Sequence, residues 1–414
     1  MTDDWGRGRA EPVAVGPPRR RMSRSDRIRE ARGQRKRRMG RGFVLAMLIV
    51  VVIGAVFLGS KVWHTMSGGD TDFSGDGVND VVIQIHEGDS TTAIGKTLQE
   101  RDVVATVAAF VGAAEGNAAI SSIQPGFYKV RTEIPASNAV SRLADPQNRV
   151  GKLVIPEGRQ LDDIQDVKTN AVTDGIFSLI SQATCVNLDG DRHCLSVDDL
   201  KKSAGSAAPS ALSVPDWAMN AVAALGNDHR RLEGLIAPGT WNIDPSAAPK
   251  DILATLIGAS ARQYAQGGLL DTAKAMNMSP YQILTVGSLV QRESKPDDFA
   301  KVARVIYNRL AENRTLEFDS TVNYPLDRIE VATTDADRGQ HTLWNTYVRP
   351  GLPATPICSP GQPALAAAEQ PAPGDWLYFV TIDLQGTTLF TRDYNQHLAN
   401  IELAKHNGVL DSAR

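Results

Sequence analysis

SPYQILTVGSLVQRESKPDDFAKVARVIYNRL, residues 279–310, reads as two consecutive helices with a glutamate, Glu293, near the end of the first. Ser279 can cap that helix, Pro280 suits its first position, and Gln282 can close a capping box back to the serine. Val286, Leu289 and Val290 precede Glu293 by seven, four and three residues, so they share its face. This apolar stripe should point inward and carry the carboxyl group with it. Burial disfavours the ionised form and raises a carboxyl pKa, which is what a general acid at neutral pH requires. Spacing alone leaves the alternative open: an ordinary glutamate fraying off a helix end. The second helix takes Phe299, Val302, Ala303, Ile306 and Leu310 as its apolar side.

The chain around this stretch has 414 residues, room for two or three domains, and is 42% hydrophobic and 22% charged, as a folded protein is. Its net charge of −3 hides an asymmetry. Residues 1–42 hold 14 arginines and lysines against five acids, a surplus of nine positive charges, so the remainder carries about −12. An acidic body is a poor match for nucleic acid, whose phosphates demand cationic surface. Next comes FVLAMLIVVVIGAVFLGS, Phe43 to Ser60, without a charge. With Lys61 and Trp63 suited to the interface, residues 43–63 form one transmembrane helix. The run is longer than a typical signal-peptide core, and no small-x-small cleavage site stands clearly behind it, so a retained anchor is expected. The positive-inside rule then leaves residues 1–42 as a disordered basic cytoplasmic tail and everything after 63 outside the cell membrane.

The outer part reads as α+β. Residues 64–79 are a Gly/Asp/Ser spacer expected to be flexible. Residues 80–150 form a small module: a strand at Val82–His86, a turn at Glu87–Asp89, helices through Ile94 and Leu98 and over Val107–Ala114, and a strand at Phe127–Val130. The catalytic-sized remainder, 151–407, is interrupted at about 166–226 by a variable, Ala/Ser/Asp-rich insertion. Beyond it come LEGLIAPGTWNI (232–243), a helix over Asp251–Tyr264, the helix pair, a hairpin of Trp376–Ile382 with Thr387–Thr391, and a closing helix over Arg392–Asn407. Cys185 and Cys194 bracket a polar loop and can form a local disulfide; Cys358 is left over as a buried or half-buried thiol. His193 beside Cys194 gives three potential ligands with no second pair, too few for a zinc site, and no cofactor is expected.

Several blocks, taken together, resemble a known family. VGSLVQRESKPDDFAKVARVIYNRL, LEFDSTVNY, WNTYVRPGLPATPICSPG, WLYFVTIDLQGTTLFTRDYNQH and LEGLIAPGTW are similar to successive blocks of the MltG/YceG-like endolytic murein transglycosylases. IHEGDSTTAIGKTLQERDVV resembles the LysM-like module that precedes their catalytic part. The resemblance covers roughly residues 80–405. It implies an enzyme that cleaves the MurNAc–GlcNAc β-1,4 bond of nascent peptidoglycan strands and leaves 1,6-anhydroMurNAc ends, with Glu293 first as acid and then as base. It also implies partnership with peptidoglycan synthases and the division machinery. The chain departs from the family at Gln291, where many members have a second glutamate, at Gly239 in place of an aspartate, and at Ser359 in place of an asparagine.

One carboxyl group suffices for this chemistry because the sugar's own C6 hydroxyl attacks, whereas a glycoside hydrolase needs two carboxyl groups. Gln291, Glu233, Asn345 and Tyr347 are the candidate substrate contacts. For Asn345 and Tyr347 a loop-structuring role stands as the alternative, and for Glu233 a role in holding the LEG turn. Asn308 and Arg309 are candidates to brace Glu293 from behind. Asp319 reads as a structural residue at a strand entry, and His397 as structural in the end helix. Two other functions stay open: a non-catalytic glycan-binding or division-scaffold protein, and a muramidase in which Glu233 or Asp319 supplies the second carboxylate.

Overall fold

Strand β1, Asp80–Ile85, pairs antiparallel with β2, Gly126–Arg131, in a computed structural model that describes residues 72–329 and 333–409. Between them run α1 (Thr91–Glu100) and α2 (Val107–Ala114), capped by the side chains of Ser90 and Thr106. After β2 come α3 (Ala136–Ala144) and the short β3 (Arg149–Val150), which completes an antiparallel sheet in the order β1-β2-β3. Ile83, Ile85, Leu98, Phe110, Val130, Val140 and Leu143 close a core that belongs to this module alone.

The anchor and basic tail read from the sequence lie outside the described residues; among the described ones no helix is long and apolar enough to cross a membrane. The expected spacer is corrected in its second half. The Asp72 carboxylate accepts from the Ala136 N–H at the start of α3, at 2.9 Å, and Val78 N–H donates to Thr132 O at 3.0 Å. Gly77, at φ +84°, makes that approach possible, because a Cβ there would sit 2.6 Å from Thr132 O.

The larger part begins with β4 (Lys152–Ile155), β5 (Ile164–Asp166) and β6 (Val172–Thr173). The segment read as a variable insertion then proves to be built of regular elements. It holds α4 (Ile176–Ala183), a hairpin of β7 (Val186–Leu188) and β8 (Asp191–His193), α5 (Val197–Ser206) and α6 (Asp216–Ala224). Ile176, Phe177, Ile180, Leu200, Leu212 and Val222 bury themselves in the same core as the helix pair. The Cys185–Cys194 disulfide closes the β7–β8 hairpin, and its tip meets the small module: Asp80 N–H donates to the Asp189 carboxylate at 2.8 Å. A charged cluster adds a second tie, since Asp162 takes Lys201 of α5 at 2.6 Å and His229 Nε2 at 2.7 Å. Although burial opposes it, the His229 and Lys201 contacts hold the Asp162 carboxyl down at about 2. The segment is therefore part of the main core, not an appendage.

β9 (Gly239–Asn242) pairs antiparallel with β4, and α7 (Pro249–Gln266) and α8 (Leu269–Ala275) lead into α9, Pro280–Glu293. The capping box forms as the sequence predicts: Ser279 Oγ accepts from Gln282 N–H at 3.1 Å, and Gln282 Oε1 accepts from Ser279 N–H at 2.8 Å. Burial goes further than one stripe, because every residue from Ile283 to Val290 is inside. α6, α8, α10 (Phe299–Ala311), α11 (Asp319–Asn323) and, further on, a helix over Gln362–Glu369 all pack against it. Small and hydroxylated residues permit this. Gly287 lets the Leu365 backbone approach, and Ser288 Oγ donates to Thr285 O while accepting from Ile357 N–H.

α9 stops at Glu293 because Ser294 and Lys295 are extended, as the residue before Pro296 must be. The two-residue β10 (Arg328–Ile329) runs parallel to β5; α12 (Asp335–Arg338), α13 (Gln362–Glu369), the β11–β12 hairpin (Tyr378–Thr381, Thr388–Thr391) and α14 (Tyr394–His406) complete the α+β fold. Cys358 is a buried free thiol, and among the described residues no group of three or more metal-ligating side chains converges.

Candidate active site

The end of α9 delivers Glu293 to the edge of the packed helices, where its carboxyl is largely enclosed by protein yet keeps some surface open. The facing element is α11. Ser320 in its first turn donates its hydroxyl to Glu293 Oε1. Burial pushes the Glu293 carboxyl up to about 7; the Ser320 hydrogen bond pulls the other way, the nearby negative charge of Asp319 pushes up, and Arg292 pulls down. A carboxyl group poised near 7 can both give and take a proton at neutral pH.

Asp319 begins the one-turn helix α11, where a strand entry had been expected. Four donor contacts fill its carboxylate: Thr333 Oγ1 at 2.6 Å, the Tyr347 hydroxyl at 2.7 Å, and Arg338 Nε and Nη2 at 3.2 Å each. Arg338 also lies over the Tyr347 ring, 5.2 Å from its centroid. Asp319 thus ties Tyr347, Arg338 and Thr333 to the turn that carries Ser320. Sequence reasoning missed Ser320, Thr333 and Arg338, since the 27 residues between Glu293 and Ser320 give no local signal of their contact.

The other candidates separate clearly. Tyr347 is brought to the site through Asp319. Asn345 is buried, and its amide is spent on the backbone: it donates to Arg338 O and Gln340 O and accepts from Tyr347 N–H. It builds the loop that presents Tyr347, which matches its loop-structuring alternative and corrects its assignment as a substrate contact. Gln291 is half-buried, with Oε1 accepting from Gly361 N–H at 2.8 Å, so its carbonyl pins the loop after Ser359 and is not turned to a sugar. Ser359 itself is buried and donates to Ile236 O.

Glu233 is corrected most firmly. It is 1% exposed and accepts from Leu161 N–H at 3.0 Å and the Tyr324 hydroxyl at 2.8 Å. A carboxyl group sealed in the core cannot touch a glycan strand; it holds the LEG turn. Asn308 and Arg309 do not brace Glu293 either. Asn308 donates to Gly374 O and Trp376 O, while Arg309 donates to Leu377 O, Thr315 O and Leu316 O, so both fasten α10 to the segment before β11. α10 starts where α9 ends, and its last turn lies about 15 Å along its axis at 1.5 Å per residue. His397 stacks on Tyr378 at 4.9 Å, as a structural residue would.

Burial raises Glu233 to about 8, opposed mainly by the Leu161 and Tyr324 hydrogen bonds. A group protonated in the fold and ionised when unfolded stabilises fully below its ordinary carboxyl pKa, and that contribution is lost as pH rises through about 8. Glu233→Gln is therefore expected to flatten the fall in stability between pH 5 and pH 9, by up to roughly 4 kcal/mol. Urea unfolding at both pH values reads this directly, and parallel curves for the two proteins would contradict it.

The YceG-like family matches residues 83–403 of this chain. An endolytic murein transglycosylase of Bacillus subtilis strain 168 is 27% identical over 320 residues, covering 77% of this chain and 82% of that one. The protein of the same name from Streptococcus pneumoniae D39 is 25% identical over 334 residues and 78% of this chain, which spans only 58% of the longer streptococcal protein. A crystal structure of a Listeria monocytogenes protein described as yceG-like aligns with a TM-score of 0.51 and 24% identity, over 77% of this chain and 98% of that one, a likeness of fold.

Proposed function

This chain belongs to the YceG-like family, and on that footing we propose that it is an endolytic lytic transglycosylase of peptidoglycan in which Glu293 carries the chemistry. The observation that carries this reading is a largely enclosed carboxyl group at the end of α9, held by the Ser320 hydroxyl and desolvated by its surroundings. Protonated Glu293 gives its proton to the glycosidic oxygen as the bond to MurNAc C1 breaks. The resulting carboxylate then takes the proton of the MurNAc C6 hydroxyl as that oxygen bonds to C1. The acid is regenerated, no water is consumed, and the product carries a 1,6-anhydro ring. Intramolecular attack supplies much of the rate, since well-oriented groups reach effective molarities on the order of 10⁵ M or more.

Ser320 fixes the orientation of the carboxyl group, and Asp319 disfavours its ionisation until a proton has been passed. The full donor set on Asp319 argues against its use as the water-activating base of a muramidase. The first four main elements of residues 80–150 follow the strand–helix–helix–strand order of a LysM-like glycan-binding module, and α3 and β3 are added to them. With residues 43–63 as an anchor, the enzyme would act outside the cell membrane close to the bilayer, where new strands emerge and where synthases and division proteins are natural partners.

Mass spectrometry of glycan strands incubated with the protein tests the reading. Anhydro ends are the expected product; reducing ends would mean hydrolysis, and unaltered strands a binding protein. The pH profile adds a second check. The first step needs the protonated acid, so kcat/KM should fall as pH rises through about 7. The Ser320 hydroxyl favours the ionised form, so Ser320→Ala should move that alkaline limb to higher pH. A limb that stays in place would remove Ser320 from the site.

A further inference from the structure

A cleft of about 400 Å³ opens at the end of α10 far from Glu293, lined by Arg309, Arg314, Thr315, Glu317, Tyr378 and Tyr394. Its floor is built to hold cations. Arg309 and Arg314 lie over the Tyr378 ring, 5.1 and 5.5 Å from its centroid. The Glu317 carboxylate on its wall is already paired with Arg309 at 3.0 Å and accepts the Thr315 hydroxyl at 3.0 Å. Arg314 is in a different state. It is exposed, its guanidinium makes no hydrogen bond among the described residues, and its nearest carboxylate, Glu312, is 4.0 Å away and engaged by Arg392 at 2.7 Å. Tyr394, 55% exposed, offers an aromatic face across the mouth.

The cleft therefore presents one exposed planar cation, stacked on Tyr378 and only loosely paired with Glu312, and one open aromatic ring, a pairing that suits a carboxylate carried on a short, partly apolar chain. Its position gives that chain an identity. Glu317 on the wall is three residues before Ser320, whose hydroxyl meets Glu293, and three residues span at most about 11 Å. In peptidoglycan a peptide stem with free carboxylates hangs from each MurNAc, the sugar whose bond would break at Glu293.

We propose that this cleft binds the peptide stem of the substrate, with Arg314 taking a stem carboxylate and Tyr394 covering the adjoining peptide. The assignment rests on the peptidoglycan-cleaving reading given above and adds to it a preference for strands that keep their stems. The site would act as a register clamp, seating a stem-bearing MurNAc so that its glycosidic oxygen meets the Glu293 proton.

The test uses the full chain carrying Glu293→Gln, so that no product forms, and two probes: a GlcNAc–MurNAc–peptide fragment and the same fragment with its peptide carboxylates amidated. Calorimetry or fluorescence anisotropy should show the charged fragment binding roughly tenfold tighter, the low end for a charge-assisted hydrogen bond. Adding Arg314→Gln should bring the ratio to about one, and Arg314→Lys should restore part of it. Equal affinity for both fragments in the parent, or an unchanged ratio in Arg314→Gln, overturns the site and leaves the catalytic reading standing. Binding of neither fragment overturns both, while anhydro-product analysis tests the catalytic reading on its own.

Discussion

Glu293→Gln should reduce anhydro-end formation by roughly 10²–10⁴-fold, the range for loss of a general acid–base group, while leaving the fold unchanged. The glutamine side chain has the same length and can still accept the Ser320 hydroxyl, so the end of α9 and the face of α11 keep their contact. What it lacks is a proton to give and a carboxylate to receive one, and both half-reactions stop. The same substitution should make the protein more stable above neutral pH. Burial raises the Glu293 carboxyl to about 7, so its contribution is fully present below the ordinary carboxyl range and is lost as pH rises through about 7. Lower activity with equal or higher stability is the signature of a group kept for chemistry at a cost to the fold. Initial rates on purified strands and urea unfolding at pH 8 measure the two effects. Full activity in the variant would end the proposed mechanism.

That the place of Glu293 at a helix end could be read from the sequence while its surroundings could not follows from how each is encoded. Ser279, Pro280 and Gln282 are consecutive-turn signals, and a proline two residues beyond Ser294 stops the helix. Local rules therefore locate Glu293. Ser320 reaches it across a loop, Tyr347 and Arg338 join through Asp319, and a serine or aspartate before an apolar run looks the same whether it opens a strand or a single helical turn. Glu233 misleads for a related reason. A glutamate between leucine and glycine suggests an exposed turn, yet the Tyr324 hydroxyl and the Leu161 N–H wait for it inside the core. Asn308 and Arg309 adjoin the right helix pair, but at the far end of α10 from the carboxyl group.

The segment from 166 to 226 shows the other limit, since its Ala/Ser/Asp texture suggests a tolerant surface while Ile176, Phe177, Ile180, Leu200, Leu212 and Val222 point inward. Phe177→Ala is expected to destabilise the protein by about 3–5 kcal/mol, the usual cost of emptying a buried phenylalanine site. The ring is 1% exposed and lies 5.9 Å from His229, which is held by Asp162. The backbone cannot relax into the gap: Ile176 and Phe177 N–H groups donate to Gln160 O and Leu161 O, and Gly175 lies so close to Asp162 that a Cβ would meet its carbonyl carbon at 2.3 Å. Leu161 in turn binds Glu233, so the same contacts that fix Phe177 fix the LEG turn. Val172→Ala, at an exposed strand position, should change stability by no more than about 0.5 kcal/mol and serves as the control. Equal urea midpoints for the two variants would show that the segment folds apart from the core. A large loss confined to Phe177→Ala would mean that the supposed insertion is structurally required, because it completes the wall behind the turn that holds Glu233.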